Sequence, residues 1–121
     1  MSYMLLIVEP VGQRATRTEA EGRAAYAAMQ RFGEAIAAAG QLAAVESLAG
    51  QSQAVRVSRE GDALVRRDGP FAEAKEMVGG FFLLKNATQA EALAWAERCP
   101  AAAWSAVEVR ALAPCHDESR A

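Results

Sequence analysis

The stretch Tyr3-Met4-Leu5-Leu6-Ile7-Val8-Glu9 reads as a strand that is apolar at both parities, unlike the alternation expected where one sheet face meets water. Both of its faces should therefore be covered. Beyond the polar loop from Pro10 to Arg17, Thr18-x-x-Glu21 forms a capping box, and Ala25, Met29, Phe32, Ile36 and Ala39 keep helical spacing until Gly40. The opposite helix face carries Arg23, Gln30, Arg31 and Glu34. Gly22 and Gly33 weaken this helix by roughly 1 kcal/mol each relative to Ala, and Gly33 permits close packing on a sheet.

Residues 42–48 read as a weak strand or extended connection, followed by polar loop. Gln53 to Ser58 and Ala63 to Arg66 alternate around the turn residues Arg59-Glu60-Gly61-Asp62, which predicts a hairpin. A short helical turn is expected from Ala72 to Met77, then a buried strand from Val78 to Leu84 whose Gly79-Gly80 pair marks a bulge or close approach. A second capping box, Thr88-x-x-Glu91, opens a helix that Pro100 terminates, and Trp104 to Ala111 reads as the last strand. There, Val107 and Val109 point one way and Glu108 and Arg110 the other. The order is that of an α+β, ferredoxin-like βαββαβ sheet with an additional hairpin and both helices on one face. The other face would lie bare in a monomer, and a two-fold homodimer pressing two sheets together covers it.

Composition narrows the function classes. With 121 residues, 52% of them hydrophobic, the chain can bury roughly two-thirds of its unfolded surface and needs no metal or disulfide staple. One domain is expected over residues 1–113, with a polar tail at 114–121. Eleven of the 13 basic residues are Arg and two are Lys, against 15 acidic residues, and no basic run exceeds Arg66-Arg67, so no footprint for nucleic acid is present. The apolar run Met4 to Val8 is far shorter than the roughly 18 residues of a membrane span, and Met1-Ser2-Tyr3 offers no positive leader region. A cytoplasmic location follows, with Cys99 and Cys115 as free thiols. Without cofactor motifs, no cofactor is expected and any chemistry should be acid/base.

The run Asp68-Gly69-Pro70-Phe71-Ala72-Glu73-Ala74-Lys75-Glu76, followed by Gly79-Gly80-Phe81-Phe82, resembles the DGPF-type subgroup of the YCII-related domain family. Tyr3 to Ile7, Glu46-Ser47-Leu48, Ala92 to Ala96 with Pro100, and Val107 to Arg110 add to the resemblance. It implies a ferredoxin-like fold assembled as a dimeric α/β barrel. Many members of the family carry a His and an Asp suited to acid/base work. Here the first helix has no His, and the one histidine, His116, lies in the tail. The resemblance also implies association with extracytoplasmic-function sigma factors.

Asp68, fixed before a Gly-Pro turn, could act as general base or hold a cation; the weightier reading is that it caps that turn or accepts a backbone N–H two residues on, since Asp is common in such turns for structural reasons alone. Glu73, Lys75 and Glu76 line the same cleft or form a solvated charge run. Glu108 and Arg110 would enter the space between dimerised sheets, where a charge must be paired or bind something. Arg110 either forks a carboxylate or phosphate or pairs with Glu108, Glu46 or Asp68. Glu46 is either a second carboxylate of the cleft or a dimer-interface partner. Trp104 and Tyr3 stack on a ligand or pack as anchors. Cys99 reads as a core residue, and Cys115-His116-Asp117 is a weak metal triplet in a terminal tail, so no metal is expected. The leading expectation is a homodimer that binds a small polar or anionic metabolite between its sheets through Glu46, Asp68, Glu76, Glu108 and Arg110. The alternative is a non-enzymatic regulatory or assembly domain that meets a sigma factor through outer helix positions such as Arg23, Gln30 and Arg31.

Overall fold

A computed structural model of the chain describes residues 2–116. In chain order the elements are β1 (Tyr3–Pro10), α1 (Glu19–Ala38), β2 (Leu42–Ser47), β3 (Val55–Glu60), β4 (Ala63–Asp68), β5 (Glu76–Leu84), α2 (Gln89–Arg98) and β6 (Ala106–Ala111). Four strands form one antiparallel sheet in the order β2-β5-β1-β6, and β3 and β4 pair only with each other. β1 and β2 run parallel with β5 between them, so α1 crosses over a split βαβ unit. This is the ferredoxin-like arrangement. The weak 42–48 segment supplies the second strand of that sheet, and the hairpin is the addition between the two halves.

Both helices begin as their sequences predict. Thr18 and Thr88 accept the backbone N–H of Glu21 and Glu91, and each glutamate accepts the threonine backbone N–H in return. These backbone bonds, helped by the threonine hydroxyls, hold the Glu21 and Glu91 carboxyls below the ordinary carboxylate range. Gly40 turns the chain out of α1 with φ of 74°, a conformation that costs a glycine little.

Side chains alternate along β1, so Tyr3, Leu5 and Ile7 are buried beneath the helices while Met4, Leu6 and Val8 are half-buried on the opposite face. Beneath α1, Phe32 meets Phe82 edge-to-face at 5.1 Å between ring centroids and Trp95 at 6.0 Å. Ile36, Leu5 and Leu84 are the largest side chains fully enclosed in this core. Trp95 keeps its indole N–H satisfied by donating to Gln41 Oε1 at 2.9 Å. Gly33 lies against the Phe82 ring, which a Cβ would meet at 3.4 Å.

Two expectations are corrected. Residues 72–77 are not helical: a turn occupies 72 and 73, and β5 already starts at Glu76 because Glu76, Met77 and Val78 pair with Pro10, Glu9 and Val8. The ladder takes up backbone groups that an isolated turn would leave to water. The last strand begins at Ala106 instead of Trp104. Pro100 opens a 3-10 turn whose Ala101 carbonyl accepts from Trp104 and Ser105, which holds both residues out of the sheet.

The second face of β1 is covered by no element among the described residues. Leu6 lies beside Phe81 and Met4 beside Leu83, with Glu108 and Arg110 on the other flank. The hairpin stands apart: Val55, Val57 and Leu64 share one face, each 57% exposed. Replacing Ile36 by Ala is therefore expected to cost about 2–5 kcal/mol in denaturant unfolding. The same truncation at Val57 should stay within about 0.5 kcal/mol. Equal losses would show that the hairpin is part of the core.

Candidate functional site

The alternation that buries Leu5 and Ile7 also buries the next inward residue, Glu9, which is 4% exposed. A carboxylate placed there needs a partner. Gly12, at φ of 88°, turns the chain back after β1 into a 3-10 turn over Gln13–Thr16, and this returns Arg14 over the strand end. Arg14 Nε donates to Glu9 Oε1 at 2.8 Å, its NH1 to the Leu48 carbonyl at 2.7 Å and its NH2 to the Gly79 carbonyl at 3.3 Å. One guanidinium thus ties together the ends of β1 and β2 and the middle of β5.

Gly79 is the extra residue of a bulge, since Ile7 pairs with Gly80 and Val8 with Val78. A Cβ on Gly79 would collide with the Glu9 carboxylate and the Arg14 guanidinium. One on Gly80 would lie 2.8 Å from the Glu46 carbonyl of the neighbouring strand. The glycine pair is therefore a bulge and a close approach together.

Glu9 and Arg14 stand at the floor of a cleft of about 760 Å³ between α1 and the β2–β5 side of the sheet. Ile7, Met29, Val45, Phe82 and Trp104 give it apolar walls, and Arg17, Glu34 and Tyr26 stand among its polar and amphipathic lining. The loop bearing Arg14 is held at its other end as well. Gln13 Nε2 donates to the Trp104 carbonyl at 2.6 Å, Ser105 Oγ bonds Gln13 Oε1 at 3.2 Å, and Arg17 lies over the Trp104 ring at 5.6 Å.

Of the residues singled out in the sequence, Glu46 alone borders this cleft, and its register opposite Phe81 puts its side chain on the uncovered sheet face; Asp68, Glu76, Glu108 and Arg110 lie outside the cleft. All five are exposed. Asp68 ends β4 opposite Val55, and its carboxylate accepts no hydrogen bond among the described residues; the Gly69 N–H goes to the Ala54 carbonyl instead. Glu76 opens β5 beside Pro10. Arg110 approaches Glu108 at 4.0 Å on the uncovered face, the pairing alternative for these two. Glu73 is an exposed partner of Arg56 at 3.1 Å, and its carboxyl is held low first by its own backbone N–H and then by that arginine. Tyr3 belongs to the core, and Trp104 both packs against it and walls the cleft.

Glu9 and Arg14 are the site residues that the sequence reading passed over. The available signal was a carboxylate on the inward parity of an otherwise apolar strand, followed within one loop by an arginine. Cys99 is buried, and burial raises its thiol pKa, partly offset by the Ala101 and Ala102 backbone N–H groups. No group of three or more His, Cys, Asp and Glu side chains suited to a metal occurs among the described residues. Asp117 of the terminal triplet lies outside them, as does the tail from there onward.

The model of the YCII-related domain family matches residues 1–116. The chain belongs to that family. No curated protein matches it at a significant level. The match spans both helices, all six strands and every residue of the cleft, so the site is part of the YCII-related domain itself.

Two outcomes follow for this YCII-related domain. Gly79→Ala is expected to lose about 1–3 kcal/mol because the new methyl displaces Glu9 from Arg14. Gly22→Ala, where a Cβ meets nothing within 4 Å, should gain about 0.5–1 kcal/mol. A neutral Gly79→Ala in urea unfolding would contradict the packing described. Alkylation followed by mass spectrometry should give one rapid adduct at exposed Cys115 and a slow one at Cys99 that accelerates in denaturant and with rising pH. Equal native rates would refute the burial of Cys99.

Proposed function

We propose that this domain is a small-molecule binding protein whose site is the cleft between α1 and the sheet. The observation that carries this reading is the cleft itself: about 760 Å³, walled by apolar side chains and floored by a buried carboxylate held in place by Arg14. Ligand sites combine a concave apolar wall with few, fixed polar groups, at volumes of roughly 300–1,000 Å³. The groups offered for chemistry are a carboxylate, suited to accepting a proton, and guanidinium groups, suited to holding charge. The Asp68-Gly69-Pro70-Phe71 run supports placing the chain in the DGPF-type subgroup.

Ala25 lines the cleft from α1, so Ala25→Trp should fill it from a half-buried helix position. In ligand-observed NMR with a fragment library, fragments bound by the wild type are expected to lose binding to Ala25→Trp while its unfolding midpoint stays close to that of the wild type. Undiminished binding to the folded variant would place the site elsewhere.

A separate observation supports a homodimer. Met4, Leu6, Phe81 and Leu83 make a continuous apolar strip on the uncovered sheet face, flanked by Glu108 and Arg110 of opposite charge. Two copies related by a two-fold axis would cover this strip and cross those charges. Sedimentation at micromolar concentration is expected to show a dimer that Leu6→Asp converts to a folded monomer. A wild-type monomer would contradict this assembly. Among the helix positions offered for a sigma-factor contact, Arg23 is exposed beside Glu19 at 2.6 Å and Gln30 lines the cleft.

A further inference from the structure

We infer that the ligand of this cleft presents a hydrogen-bond donor, an amine or a hydroxyl on an apolar body, to Oε2 of Glu9. The inference rests on the cleft being the binding site and concerns what that site selects. Each of the three Arg14 nitrogens is engaged, with Glu9 Oε1, the Leu48 carbonyl and the Gly79 carbonyl, and its charge is balanced by the carboxylate of Glu9. Oε2, by contrast, accepts no hydrogen bond among the described residues. The Glu9 side chain keeps 6% of its surface exposed, so the carboxylate is not fully sealed. The carboxylate that bears it lines the cleft.

The unsatisfied valence at the floor is therefore an acceptor on a charged group with little access to water. Such an atom gains most from a donor, and more from a charged one than from a neutral one. A carboxylate or phosphate head hydrogen-bonded at Oε2 would set two anions side by side, an arrangement that like-charge repulsion disfavours. Arg17, which lines the same cleft and among the described residues bonds only Gln13 Oε1 and the Trp104 ring, is the cation by which an anion would bind instead, and such binding would count against the inference. The walls, Ile7, Met29, Val45 and Phe82, ask for an apolar body behind the head. Selectivity of this kind is steep because a ligand lacking the donor leaves a buried polar atom unpaired.

The test uses a matched set on the whole chain: 2-phenylethylamine, 2-phenylethanol, 3-phenylpropionate and ethylbenzene, each titrated by protein-observed NMR at neutral pH. The expected result is that the amine and the alcohol shift resonances of Gly33, Gly79 and the Trp104 indole, the amine binding at least about tenfold more tightly than the propionate. In Glu9→Gln, which keeps the shape and removes the charge, the amine should lose about tenfold while ethylbenzene is unaffected. Propionate binding in the cleft as tightly as the amine would overturn the inference and leave the cleft reading standing. Shifts confined to another surface, or no binding by any of the four, would overturn both. The comparison of the four compounds on the wild-type chain decides the matter even if Glu9→Gln does not fold.

Discussion

The ion pair between Glu9 and Arg14 is the constraint on which the arrangement of this domain turns. A strand whose inward residues are Tyr3, Leu5 and Ile7 has no intrinsic reason to place a carboxylate next in that row, and doing so commits the fold to supply a cation and hydrogen bonds. The cation comes from the loop that follows immediately, folded back by Gly12, and its remaining donors take up carbonyls at the end of β2 and in the bulge of β5. The bulge at Gly79 makes room for both side chains. A local polar requirement is thereby turned into a tie among three strands, and the same groups form the floor of the cleft.

The two faces of the sheet have different physics. One carries the aromatic core under α1 and α2 and, where α1 leaves the β2–β5 side open, the cleft. The other carries an apolar strip with paired charges at its flank and no covering layer among the described residues. Placing ligand binding on the first face and self-association on the second assigns each a separate set of residues, so that Leu6→Asp and Ala25→Trp report on different properties.

Much of the fold was legible because its signals are local. Both capping boxes mark helix starts by side-chain geometry within four residues, and the alternation of β1 and β6 follows from strand pleating. The hairpin and the Gly79-Gly80 bulge were read from turn chemistry and from glycine's missing Cβ. The errors occurred where pairing overrides local preference: residues 76–78 are drawn into the ladder beside β1, and Trp104 and Ser105 are held by the Ala101 carbonyl. The site was less legible for the same reason. Glu108, Arg110, Asp68 and Glu76 were grouped because each stands next to apolar neighbours in sequence, but strand order sends them to the open face, the hairpin and the foot of β5. Only Glu46 of that group borders the cleft, and its side chain lies on the open face beside Phe81. What brings Arg14 to Glu9 is a left-handed turn at Gly12, and what admits them both is a register shift in a strand far along the chain.

The central claim, that Glu9 and Arg14 act as one unit, is tested most directly by a double-mutant cycle with Glu9→Gln and Arg14→Gln in urea unfolding. The account predicts a favourable coupling of at least about 1.5 kcal/mol, because each single change strands the other group while the double change leaves two neutral amides. Additivity to within about 0.5 kcal/mol would mean that the two side chains are neighbours without being partners, and would contradict the account.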